Sequence, residues 1–276
     1  MRNPADWLAA HQDEEGGWTA RGWPLRCQGA CRLDAWTGSP DDDLARTALA
    51  LLALGNWGHT HRVGTRKRQV RRGLSWLQAR CDADGRFLGG RRLLRDQALG
   101  ALALGEAYAL TRDRALRNPV RFAMERLVAM VEGVPLGPEE AGWVGQALRC
   151  LRTADLDVRV PRLVVPGVDP GSLATLAWLG SRGDPAVQTG VARLLGAPAP
   201  PDPEATLMTA FALERAGRGP GHEWIRARQA ELAVARGSGP CSDQSWAPDA
   251  RHDRVQATAL AAVLLSMCRG YERAGE

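Results

Sequence analysis

The sequence predicts an all-α protein with its helices in two concentric layers, and three observations carry that expectation. First, Ala, Leu and Arg dominate the 276 residues, whereas only three Phe and two Tyr are present, a composition that favours helix over strand. Second, a Trp-Leu pair on a helix-like stretch leads twice into a Gly-aromatic turn, from Trp7-Leu8 to Gly16-Gly17-Trp18 and from Trp76-Leu77 to Gly85-Arg86-Phe87. An internal echo of this length points to stacked helical repeats. Third, segments apolar on every side alternate with amphipathic ones, and a helix apolar all round must be buried all round.

The apolar segments are Asp43 to Leu54, Asp96 to Tyr108 and Val255 to Leu265. Between them lie amphipathic segments with Arg-rich outer faces, Val70 to Ala79, Val120 to Val131 and Glu223 to Ala235. Helical periodicity continues through Ala141 to Leu151, Gly171 to Leu179, Val187 to Leu195 and Glu204 to Ala216. About five inner and outer helix pairs are therefore expected. Asp41-Asp42-Asp43 and Pro203-Glu204 supply helix starts suited to the positive end of the helix dipole. Gly55, Gly133, Gly180, Gly217 and Gly237 supply stops. The only Pro-rich stretch, 197–203, is short and the helical pattern resumes after it, so one domain spanning 1–276 is expected, with a loop there.

The net charge of +5 comes from arginine, Lys67 being the single lysine. The dense basic stretch Arg62 to Arg72 reads as a solvated loop entering a helix, since no nucleic-acid recognition motif accompanies it; no nucleic-acid partner is expected. No apolar run approaches the ~20 residues that span a bilayer. The opening residues, Met1 to Trp7, lack the apolar core of a signal peptide, and a cytoplasmic location is the expectation. Of six cysteines only Cys27 and Cys31 cluster. Their spacing, with no second Cys or His pair nearby, is weak for zinc and leaves a disulfide or free thiols open.

Gln12-x3-Gly16-x-Trp18 is a complete Q-x3-G-x-W signature, and with it the chain resembles the prenyltransferase and squalene-oxidase repeat superfamily, which includes terpene cyclases. Thr47 through His61, Gly73 through Phe87 and Leu104 through Thr111 resemble bacterial repeat proteins of the same superfamily. The resemblance is good to about residue 155, plausible over 204–270 and thin between. It implies an alpha/alpha toroid, with paired helices in two rings around a central cavity. The motif departs from its pattern elsewhere: Cys81 stands at the Gln position before Gly85, and Pro240 and Gln244 replace Gln and Gly before Trp246.

The resemblance also implies where chemistry would sit. A class II terpene cyclase protonates an alkene with an Asp held neutral in a desolvated site. Asp41, Asp42 and Asp43 are the nearest match, although Leu44 replaces the final Asp of that motif. Read alone, the three are an acidic helix start. Protein prenyltransferases hold zinc with Asp, Cys and His; Cys241, Asp243 and His252 are candidates of the right types at the wrong spacing. Trp36, Trp57 and Trp143, with His59 and His61, are the side chains expected to line a cavity or its rim. The provision of aromatic residues is poor for carbocation chemistry. No G-x-S-x-G and no phosphate loop occurs. The leading expectation is a non-catalytic scaffold that binds a protein, peptide or apolar ligand, without a cofactor. The alternative is an isoprenoid-processing enzyme, cyclase-like or zinc-dependent.

Overall fold

Side-chain chemistry sets the helix starts in the computed structural model. The structure describes residues 3–27, 38–165, 167–179, 183–216, 219–237, 244–249 and 251–267, the side chains of Cys27, Arg215 and Ala216 excepted. Among them are eleven α-helices: α1 (Pro4–Ala10), α2 (Asp43–Asn56), α3 (Lys67–Gln78), α4 (Leu93–Thr111), α5 (Arg114–Val131), α6 (Pro138–Ala154), α7 (Pro170–Trp178), α8 (Pro185–Gly196), α9 (Pro203–Ala216), α10 (Pro220–Ala235) and α11 (Arg254–Ser266). Asn3 and Asp253 form capping boxes on α1 and α11, satisfying amides that a helix start leaves open. Asp113, Asp169 and Asp184 cap α5, α7 and α8 by accepting from one first-turn amide each. No β-strand occurs among the described residues, and none of their helices is long and apolar enough to cross a membrane.

The apolar helices are buried as their sequences require. Every residue of α2 from Leu44 to Leu54 is buried, and so is every residue of α11 from Val255 to Leu264. By contrast, α3 buries one stripe, with Val70, Leu74 and Leu77 inward. Helices α2, α4, α6, α7, α9 and α11 pack against one another in succession, and the succession closes where α11 packs on α2. Helix α3 packs on α2, α5 on α4 and α6, α8 on α7 and α9, α10 on α9 and α11, and α1 on α11 and α2.

The alternation of the sequence breaks once, between α6 and α7. The described residues of 155–169 hold no helix there. Asp157-Val158-Arg159-Val160-Pro161 is rich in β-branched residues and contains a proline, which disfavour a helix. The stretch runs extended along the α5–α6 connection, where Gly133 N donates to Arg162 O (3.1 Å) and Leu136 N to Val164 O (3.0 Å).

The repeated Gly-aromatic turn has a repeated hydrogen-bond pattern. Trp18 N donates to Thr47 Oγ1 (3.0 Å), Phe87 N to Gln97 Oε1 (3.0 Å) and Trp246 N to Thr258 Oγ1 (3.2 Å). Each acceptor is the fifth residue of the helix that follows the turn, α2, α4 or α11. The indoles of Trp18 and Trp246 reach back to Leu8 O (2.7 Å) and Leu232 O (3.0 Å). Gly85 has a φ of 78°, and a Cβ there would lie 2.1 Å from Phe122 O in α5. At the third copy Gln244 holds a φ of 84°, so the left-handed conformation persists where glycine does not.

Candidate functional site: a cavity among five helices

The last turns of five helices surround a cavity. It measures about 510 Å³ and is lined from α2, α4, α6, α9 and α11. Its apolar walls include Leu52, Leu102, Phe211 and Val263; Asn56, Glu106, Gln146, Arg149, Thr153, Glu214 and Ser266 supply polar groups. Arg149 Nη2 donates to Glu106 Oε1 (3.1 Å), and Arg149 Nε to Gln146 Oε1 (3.0 Å). A side pocket of about 110 Å³ between α2, α3 and α4 shares Leu52, Asn56, Glu106 and Leu110 with the cavity. His59 borders this pocket, and neither of its buried ring nitrogens has a hydrogen-bond partner. Burial, followed by the nearby Arg66, lowers its pKa and favours the neutral ring.

Trp143 lines the cavity near its inner end and is itself 1% exposed. Its indole N–H donates to Glu204 Oε1. Arg95 donates to the same carboxylate through Nε (3.0 Å) and Nη2 (2.7 Å), and His252 Nε2 stands 3.2 Å from Oε2. Burial alone would raise the pKa of Glu204, but Arg95, His252 and Trp143 together hold it well below the usual carboxylate range. The Glu204 carboxylate, with Asp249 at 3.1 Å, raises the pKa of His252 despite its burial. A carboxylate has about four lone-pair sites, and these partners fill those of Glu204. The carboxylate is therefore engaged on both oxygens by protein groups.

A second buried cluster ties the first turn of α2 to the start of α11. Arg46 Nε donates to Asp253 Oδ2 (2.6 Å), with both side chains 0% exposed. Arg46 also reaches Asp43, Trp18 O (3.2 Å) and Ser39 O (3.2 Å). Ionic groups thus gather at the first turns of α2, α4, α9 and the start of α11, whereas the last turns of the same helices line the cavity. These helices consequently run in the same direction.

The three acidic candidates belong to the first-turn end. Asp41 is exposed, Asp42 is buried with Arg91 at 3.4 Å, and Asp43 accepts from Ala20 N (2.7 Å) and Arg46. Burial raises the pKa of Asp43. None of the three lines the cavity; at 1.5 Å per residue, Asp43 lies about 20 Å along α2 from Asn56. Asp43 instead borders a polar surface depression with Asp13 and Arg26.

Of the expected binding residues, Trp143 lines the cavity and His59 the side pocket. Trp57 packs between α2 and α11, its indole donating to Ala262 O (3.0 Å), and His61 pairs with Asp113 (2.8 Å). Trp36, Cys31, Cys241, Asp243 and the side chain of Cys27 lie outside the described residues. His252 is engaged by Glu204 and Asp249. No group of three or more His, Cys, Asp and Glu side chains able to hold a metal occurs among the described residues. Cys81 and Cys150 are free thiols, and burial pushes them up to about 11 and about 12.

The sequence did not single out Glu106, Arg149 or Arg95, and offered Glu204 only as an acidic helix start. For Glu106 the signal existed: it is a charged residue inside the apolar segment Asp96 to Tyr108, where burying a charge requires a partner. Comparison with protein-family models and with curated proteins finds no match for the chain.

Proposed function

We propose that the chain is an alpha/alpha toroid of the kind its Gln12-Gly16-Trp18 motif resembles, and that it acts as a binding scaffold for an apolar ligand held in the central cavity. In this reading α2, α4, α6, α7, α9 and α11 are the inner ring, and α1, α3, α5, α8 and α10 the outer one. The closed succession of helix contacts supports the architecture. The observation that carries the function is the cavity of about 510 Å³, with apolar walls and an inner end sealed by the saturated Glu204 network. Pockets of this size accommodate small-molecule ligands. An isoprenoid cyclase would need a neutral carboxylic acid facing that cavity, whereas Asp42 and Asp43 are engaged by arginines at the opposite end of α2.

The test is titration with N-phenyl-1-naphthylamine, whose fluorescence rises in apolar surroundings. About one saturable site per chain is expected, lost in Ala109→Phe, which adds a ring at a cavity-lining position. Absence of binding, or binding indifferent to Ala109→Phe in a variant of unaltered thermal stability, overturns the proposal. So does turnover of a prenyl diphosphate or a squalene-like substrate.

A further inference from the structure

We infer that one side of the cavity mouth, built by the α2–α3 connection and the starts of α3 and α5, docks on an anionic lipid surface. The inference is independent of what the cavity holds. Residues 62–126 carry sixteen Arg and Lys against six Asp and Glu, a surplus of ten, whereas the whole chain has a surplus of five. The rest of the chain is therefore acidic on balance, and an uneven distribution of this kind orients a protein towards an oppositely charged partner.

Part of this charge is gathered at the mouth. The last turns of α2 and α4 line the cavity, and the helices that follow them, α3 and α5, begin at the same end. His61 joins the two connections: its Nε2 stands 2.8 Å from Asp113 Oδ2, and its carbonyl accepts from Arg71 Nη2 (3.3 Å). Arg62 is paired with Asp113 (3.1 Å) and Arg66 with Asp6 (2.7 Å). Lys67, Arg68, Arg71, Arg112, Arg114 and Arg117 remain, all exposed and none in an ion pair with a described residue. Arg71 and Arg112 donate to backbone carbonyls, which positions them without neutralising them. The acidic groups Glu214, Asp155 and Asp157 at this end lie on other elements, in α9 and after α6.

Two apolar side chains stand exposed beside these cations, Val63 at 60% and Leu110 at 56%. A nucleic-acid backbone would take up the charge and leave both in water. A bilayer takes up both features, since its headgroups meet the cations and its interface accepts the Val and Leu side chains. Leu110 also lines the cavity, so the docked face is continuous with the mouth.

Cosedimentation of the intact chain with phosphatidylcholine vesicles, with and without phosphatidylserine, tests this. Binding is expected only with phosphatidylserine, and should be lost between about 0.05 M and about 0.5 M salt as screening sets in. Arg114→Glu with Arg117→Glu should weaken it about tenfold or more, and Val63→Ser about threefold. The control, Arg21→Glu with Arg86→Glu, makes the same charge change at exposed positions on the turns that precede α2 and α4, at the opposite end of those helices, and should weaken it far less. Failure to bind, binding that ignores phosphatidylserine or the mouth substitutions, or an equal loss in the control overturns the inference. So does tighter binding to a duplex DNA under the same conditions, which would assign the surface to nucleic acid. Titration with N-phenyl-1-naphthylamine should be unchanged in these variants, so the docking and the cavity reading fail separately.

Discussion

At Glu204 and Asp96 the donors around a buried carboxyl, and not its burial alone, set the direction of its pKa shift. Glu204 and Asp96 are both buried, yet their pKa values move in opposite directions. Glu204 collects Arg95, Trp143 and His252 and stays ionised. Asp96 accepts one backbone bond, from Arg92 N (2.9 Å) to Oδ2, while its Oδ1 is buried with no partner. Burial pushes its pKa up to about 6 and Asp42 adds repulsion, against the pull of Arg95 and Arg92. The folded protein therefore binds this proton more tightly than the unfolded chain does. The stabilisation is complete below the unfolded value near 4 and is lost as pH rises through about 6. Asp96→Asn keeps an acceptor for Arg92 N and removes the charge. It should raise stability at pH 8 by about 2 kcal/mol and flatten the stability profile between pH 4 and 7. Urea unfolding across that range checks it; a variant that parallels the parent at every pH refutes the assignment.

At the scale of elements, hydrophobic periodicity placed the helices, because burial of α2, α4 and α11 is set locally by runs of Ala and Leu. It failed where tertiary packing overrides local preference. Periodicity begins the fifth helix at Val120, yet α5 starts at Arg114, capped by Asp113, and carries Pro119 inside. The repeat motif was legible in part. Gln12 Nε2 donates to Gly16 O (2.7 Å) and Gln69 O (2.8 Å), fastening the turn to α3. In the second copy Cys81 holds the Gln position, but the role survives: Gln97 Nε2 donates to Gly85 O and to Ala123 O in α5 (both 2.9 Å). The amide has moved from the chain before the turn to the helix after it, which no single-motif reading of the sequence could reveal. Gln97 also accepts from Phe87 N (3.0 Å) and is 1% exposed. Gln97→Leu leaves the Gly85 carbonyl and the Phe87 amide buried without partners and removes the second bond to Ala123 O, and should destabilise the protein by about 3 kcal/mol. Chemical denaturation measures this, and a loss below about 1 kcal/mol would mean that water or a shifted turn replaces the amide.

At the scale of the molecule, the contact that closes the succession of helices joins residues 207 positions apart, Arg46 and Asp253. The sequence shows each of them as a charge beside an apolar run, but not that they meet, since pairing over such a distance leaves no local pattern. Asp253 does two things at once. It caps α11 through Val255 N (2.8 Å) and Gln256 N (3.1 Å), and it receives the Arg46 guanidinium. Arg46 in turn draws in Asp43, the carbonyl of Trp18 and that of Ser39. The first Gly-aromatic turn, α2 and α11 are therefore fixed by one side chain. Arg46→Met removes the cation and strands Asp253 at zero exposure with backbone donors alone. Breaking a buried pair from one side costs about 3–5 kcal/mol, and this loss should show in urea unfolding at pH 7. Arg46→Met with Asp253→Asn should recover part of it, because the amide oxygen still caps α11 and no buried charge remains. If the double variant is as unstable as the sum of its singles, the two residues are not coupled, and the α2–α11 closure depends on apolar packing and on the Trp57 bond to Ala262 O.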